Sequence, residues 1–259
     1  QLLWIINGYT LALAALLLPI GAIGDRWGRK HVLVGGLGLF VASSVASAFA
    51  TTVTMLLATR VAAGVAAAMI MPVTLSIITS SFPADERDRA VGVWAGFAGA
   101  GGILGLLASS VVIDHGTWPW VFTLPVVLAV AALVLTLRVV PHSREDHAGR
   151  FDVGGALLSF LAIGGLVLGI QEGPERGWSA PLTIAGLAVG ALAAFGFIAW
   201  ERRSARPLLD VSVFRHRAVS AGSLTLLLVF AVLMGMFLVV VQFLQAVLGW
   251  SALRASAGL

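Results

Sequence analysis

The sequence predicts an all-α, polytopic membrane helix bundle of about eight spans, and three observations predict it. Residues of the AVILMFWYC set make up 59% of the 259 positions and charged residues 11%, where a soluble domain carries about 25% charge. The mean hydropathy is +1.01. The apolar residues also fall into runs long enough to cross a bilayer as helices, about 20 residues each, with charged loops between them. Such a chain cannot cover a water-facing surface with polar groups, so its first partner is the lipid bilayer. The absence of cysteine excludes a disulfide framework, a thiolate metal site and a cysteine nucleophile. An isoelectric point near 10.9 does not imply nucleic acid, because the basic residues form short clusters between apolar runs, the pattern of topology signals.

The spans expected in order are 2–24, 32–50, 53–79, 91–112, 120–140, 153–170, 181–200 and 218–248. The eighth is longer than a crossing needs, so it tilts or extends past the lipid. The first has no basic leader and ends in charge, unlike a signal peptide. Thirteen of the sixteen basic residues lie in four alternate loops, around 25–31, 80–90, 138–152 and 201–217. The opposite side holds Arg176 and Arg254, and Arg60 lies within the third span. The positive-inside rule therefore makes the four basic loops cytoplasmic and both ends of the chain external. The start at Gln1, almost inside a span, and the uncharged end at Leu259 fit a piece of a longer protein.

The first cytoplasmic loop carries Gly21-x-x-x-Asp25-Arg26-x-Gly28-Arg29-Lys30. Gly24 is a helix terminator, Asp25 a cap for the next helix, Gly28 a residue for the tight reversal, and Gly21 a point of close helix approach. On charge alone this is a basic topology loop. The third span carries Arg60 about two turns in, followed by Gly64, an alanine-rich stretch, Met71 and Pro72. A cation in an apolar helix costs up to ~2.5–3.5 kcal/mol, so Arg60 either snorkels to the outer surface or has a function. Gly64 and its neighbours form a small-residue packing face, and Pro72 is expected to kink the helix. The fourth span holds Gly96, Gly99, Gly101, Gly102 and Gly105, glycines that weaken a helix in water but permit close contact in lipid. They do not form a dinucleotide-binding GxGxxG, since Leu104 occupies the last glycine position.

These motifs together resemble those of the major facilitator superfamily. The GxxxDRxGRK loop matches its cytoplasmic signature, Arg60-x-x-x-Gly64 with the alanines and Pro72 its second motif, and the glycine-rich fourth span the antiporter motif of drug exporters, with Gly102 where proline is usual and Leu106 where glycine is usual. Trp4 to Tyr9, Trp118 to Phe122, Pro207 to Phe214, and Gln242 to Ser251 recur in the same order in fourteen-helix drug:proton antiporters, the quaternary-ammonium and multidrug efflux pumps. Thr123-Leu-Pro125 is about two residues shorter than that family's usual run. The resemblance implies that 1–140 is the N-terminal transporter half from its second helix onward, 141–217 the two extra central helices with their linkers, and 218–259 the start of the C-terminal half. The family's first helix and about five C-terminal helices then lie outside the chain.

The function so implied is proton-coupled secondary export of hydrophobic or cationic drugs across the bacterial inner membrane, without a cofactor. Arg60 is the implied proton-coupling residue, acting on a carboxylate of the missing first helix. Gly21, Asp25, Arg26, Gly28, Arg29 and Lys30 are the implied conformational gate, favouring the outward-open state. Gly64, Pro72, Gly96, Gly101, Gly102 and Gly105 serve helix packing. Candidate cavity residues are Asn7, Tyr9, Met71, Trp94 and Gln242, each of which has a plainer role as interface anchor, gap filler or interhelical bridge.

Three alternatives stand beside this reading. A membrane enzyme lacks support: there is no G-x-S-x-G or H-E-x-x-H, and the five histidines are placed in loops with no metal-ligand spacing. An ATP-driven pump lacks support because Lys30, the single lysine, sits in no P-loop. A truncated, non-transporting fragment, or an exporter of one metabolite, is the third. All twelve acidic residues are expected outside the middle of the spans, Glu172 in an external loop and Glu201 at the cytoplasmic interface, so this chain alone is expected not to transport.

Overall fold

The computed structural model describes residues 2–141, 151–204 and 207–258, all but a few of them helical or in turns between helices. In order the helices are α1 (Leu2–Trp27), α2 (Arg29–Ala48), α3 (Val53–Ser81), α4 (Arg87–His115), α5 (Thr123–Val139), α6 (Val153–Arg176), α7 (Pro181–Glu201), α8 (Arg217–Ala246) and α9 (Ala252–Ala257), with 3-10 turns at Trp118–Phe122 and Val211–Arg215. Among the described residues eight segments are long and apolar enough to cross a membrane, the fifth joining the 3-10 turn at Trp118–Phe122 to α5, which matches the expected span count. Arg144, Arg150 and Arg206, part of the orientation count, lie outside the described residues.

The chain forms two compact units. The first combines 1–92 with 122–209. Within it α1 and α3 run parallel and pack along most of their length, α2 lies antiparallel to α3 and to α5, and α6 and α7 form an antiparallel hairpin against α1. Ile20, Val32, Leu33, Leu37, Ala68, Val73 and Ala129 bury a core where α1, α2, α3 and α5 meet. The second unit combines 93–121 with 210–259. In it α8 packs on the 3-10 turn at Val211–Arg215 and on α9, and no described residue of α8 is buried. Asp210 caps that turn: the Ser212 hydroxyl, and then its backbone N–H at 2.9 Å, hold the Asp210 carboxyl below its ordinary range.

Several helix ends differ from expectation. α1 does not stop at Gly24 but continues through Asp25 to Trp27, because Gly24 is packed flush against Val73 and stays helical. The reversal falls at Gly28, whose φ is 105°. Asp25 is therefore not the cap of α2; Gly28 holds that position, with no side-chain cap. α6 runs on past 170, through Gly173 and Pro174, to Arg176. Gly173 is seated against the Trp178 ring, and the helix ends at Gly177, whose φ of 94° suits glycine. His31 and His115 lie in helix ends rather than in loops.

The weave has a direct test. With no native cysteine, a cysteine introduced at Ser179, in the α6–α7 turn, is expected to react with a membrane-impermeant thiol reagent on whole cells. One at Ser204, after α7, is expected to react only after the membrane is opened. Labelling of Ser204 from outside would invert the orientation.

Candidate functional site

The α1–α3 seam is built on absent side chains. A Cβ on Gly64 would fall 2.4 Å from the Tyr9 carbonyl oxygen and 2.9 Å from Ala12 Cβ, and one on Gly8 3.1 Å from Leu57. Lower down, a Cβ on Gly21 would fall 3.3 Å from Pro72 and one on Gly24 2.6 Å from Val73. The helices approach closely from end to end, which in lipid is the main source of helix–helix attraction. Pro72 lies inside α3, which continues through it to Ser81.

This seam seats Arg60. One turn above Gly64, its guanidinium lies over the Tyr9 ring, 4.9 Å from the centroid. A cation on an aromatic face gains about 0.5–2 kcal/mol, more as water is removed, which offsets part of the cost of placing arginine in a span. The neighbouring Thr59 is fixed to α2: Ser47 donates to Thr59 Oγ1 at 2.8 Å, and Thr59 donates to the Leu56 carbonyl at 2.8 Å. Two of the sequence-selected residues, Arg60 and Tyr9, are thus brought together, with Gly64 as the space that permits it. Asn7 lies one turn above Thr10, which donates to its carbonyl at 3.1 Å. Met71 is exposed on α3, next to Pro72.

At the Gly28 end of the seam the loop signature has a definite geometry. Arg29 donates to Asp25 Oδ1 at 2.8 Å across the Gly28 reversal. Lys30, at the start of α2, donates to the Leu137 carbonyl at 3.0 Å. That carbonyl is among the last of α5, where the helix leaves acceptors without intrahelical donors and carries partial negative charge. Lys30 therefore ties α2 to the end of α5 as a C-terminal cap. Gly28→Ala should cost about 1–3 kcal/mol, since a Cβ is strained at this φ. A lower apparent Tm in detergent, with membrane insertion retained, is the expected result.

Sequence reasoning missed the α6–α7 seam. Gly165 lies against Gly190, where a Cβ would fall 2.7 Å from the backbone nitrogen, and Gly169 lies against Gly186. The same antiparallel offset brings Glu172 level with Thr183. Glu172 is 1% exposed, pairs with Arg176 one turn on, and faces inward, as does Thr183 at 0% exposure. At the other end of the hairpin Glu201 is 3% exposed and accepts from Leu209 N–H at 3.3 Å. Trp200 donates to Asp152 at 2.9 Å, and Asp152 caps α6 by accepting from Gly155 N–H at 2.8 Å. Glu172, expected in an external loop, lies instead in the last turns of α6, and both it and Glu201, expected at the interface, are buried, one at each end of the hairpin. The signal was the spacing Gly165, Gly169, Glu172, which repeats every turn on one face of α6.

Trp94 and Gln242 lie on α4 and α8, in the second unit. Beside Gly96, Gly101, Gly102 and Gly105 there is open space, and a Cβ on any of them would meet no atom within 4 Å. Among the described residues no cluster of three histidine or acidic side chains could hold a metal.

Comparison with known proteins bears on this arrangement. The Major Facilitator Superfamily model matches residues 1–259. The multidrug efflux pump LfrA of Mycolicibacterium smegmatis is 38% identical over 98% of this chain and 50% of its own length. The tetracenomycin C resistance and export protein of Streptomyces glaucescens is 34% identical over 99% of the chain and 48% of its own length. The multidrug resistance protein Stp of Mycobacterium tuberculosis is 33% identical over 96% and 46%. The chain spans about half the length of these curated relatives.

Proposed function

Given that the chain belongs to the Major Facilitator Superfamily, we propose that it supplies part of a proton-coupled exporter of hydrophobic or cationic drugs. The eight apolar helices and the efflux-pump relatives make it a multi-pass protein of the bacterial inner membrane, and the family points to a transporter rather than an enzyme. The observation that carries the finer reading is Arg60, an arginine held within a span by a neighbouring aromatic ring in a seam that glycine makes possible. A cation within a span costs insertion free energy and so marks a functional site by default; a carboxylate that carries the transported proton would suit it as a partner, because an opposite charge favours the ionised carboxylate and eases proton release.

On this reading 1–140 contributes the N-terminal transporter half, 141–217 the extra pair of helices, and 218–259 the opening of the C-terminal half. Asp25, Arg26, Arg29 and Lys30, with Gly21 and Gly28, form the cytoplasmic gate. Gly96, Gly101, Gly102 and Gly105 serve helix packing, and Asn7, Tyr9, Met71, Trp94 and Gln242 are the candidate cavity residues; transporters of this kind bind their cargo near the bilayer midplane. Ethidium efflux tests it: the complete reading frame containing these residues, expressed in a pump-deficient strain, should lower ethidium accumulation, and a protonophore should abolish the difference. Accumulation equal to the empty-vector strain would contradict the export reading.

A further inference from the structure

A groove runs between the α1–α3 pair and the α6–α7 hairpin, within the first unit. It encloses about 570 Å³ and is walled by Trp4 and Leu16 of α1, Val61 of α3, Phe160 and Leu168 of α6, and Val189 of α7, among others. No wall residue is charged, and the Trp4 indole is the one polar side-chain group among them. Gly164 faces this space without a side chain, a Cβ there meeting only Ala15, while Gly165 and Gly186 let α6 and α7 close together along its edge. From Trp4 to Leu16 the groove follows α1 for about 18 Å at 1.5 Å per residue, close to the half-thickness of a ~30 Å hydrocarbon core. The external start of α1 places it in the outer leaflet.

The groove opens sideways. Val61, Phe160 and Val189 are 39%, 40% and 46% exposed, so its walls are continuous with the apolar surface that the helices present to lipid. Near its outer end Gln171 donates to Thr10 Oγ1 at 3.2 Å, bridging α6 and α1, while Gln171 Oε1 is buried with no donor. We propose that this groove is a lipid site holding one acyl chain of an outer-leaflet phospholipid, which joins the hairpin to the α1–α3 pair. Water has too few polar partners there to occupy the space. A lipophilic cation would find no anion in the walls to offset its charge. An acyl chain matches the lining, the length and the lateral opening, and needs nothing from the export reading.

Native mass spectrometry of the detergent-purified chain tests the site. One phospholipid should survive repeated delipidation. Ala185→Trp on α7 and Gly164→Leu on α6 fill the groove from two sides and should lose that lipid. Ala185 is exposed, and a Cβ at Gly164 meets Ala15 at an ordinary 3.4 Å, so neither change disturbs the helices themselves. Leu192→Trp, on α7 outside the groove and 71% exposed, should keep it. Thermal unfolding identifies a variant that fails to fold, and the other then stands for it. No retained phospholipid in the unsubstituted chain, retention by the filled variants, or replacement of the lipid by added ethidium overturns the proposal.

Discussion

Replacing Gly64 by leucine is expected to destabilise the α1–α3 pair by about 3 kcal/mol or more, the upper part of the range for overpacking a tight contact. The new Cβ alone would lie 2.4 Å from a backbone oxygen of α1, at Tyr9, and 2.9 Å from Ala12. Neither atom is the end of a flexible side chain, so the helices must separate. Separation also removes the close contact at Gly8 and lifts Tyr9 from Arg60. Gly38→Leu is the matched comparison: a Cβ there meets nothing within 4 Å, and its effect should be near zero. The apparent Tm in detergent, with membrane-fraction yield, measures both. A Gly64→Leu protein as stable as Gly38→Leu would mean that α1 and α3 do not touch as described.

The second large effect is on transport. Arg60→Ala, in the complete reading frame, should abolish protonophore-sensitive efflux while leaving the membrane-fraction yield largely unchanged, because removing a charge from a span relieves an insertion cost. Tyr9 separates positioning from packing. Tyr9→Phe keeps the ring beneath the guanidinium and should transport almost normally. Tyr9→Leu keeps apolar bulk but loses the about 0.5–2 kcal/mol of cation–aromatic attraction, and should lower efflux with little change in yield. Equal efflux from both Tyr9 variants would assign the 4.9 Å contact no part in function, and near-normal efflux from Arg60→Ala would return Arg60 to a snorkelling side chain.

The spans were legible because a bilayer imposes a length: apolar runs near twenty residues leave few other readings, and alternate arginine-rich loops orient them. Helix ends were less legible. Gly24 and the Gly173-Pro174 pair look like terminators in sequence, yet Gly24 is held helical by Val73 and Gly173 by Trp178, tertiary contacts that local propensity does not contain. The turn that does reverse the chain, at Gly28, was legible, because its positive φ suits glycine best. For the site, Arg60 stood out as a cation in an apolar run, and its expected partner was a carboxylate. The partner within this chain is Tyr9, 51 positions away, which sequence offered only as a cavity or interface aromatic. Glu172 and Glu201 were placed by their distance from the span centres. Their burial follows instead from the glycine seam, which lets α7 approach closely enough to cover them.

Substrate-dependent proton release measures the coupling most directly. In inverted membrane vesicles energised to an acid interior, a pH-sensitive dye is quenched, and export of a cationic drug into the lumen in exchange for protons restores its fluorescence. Vesicles carrying the complete reading frame should show recovery on adding ethidium, and vesicles carrying Arg60→Ala at equal protein level should show none. Ethidium uptake without any fluorescence recovery, or the same recovery from Arg60→Ala, would contradict proton-coupled export through Arg60.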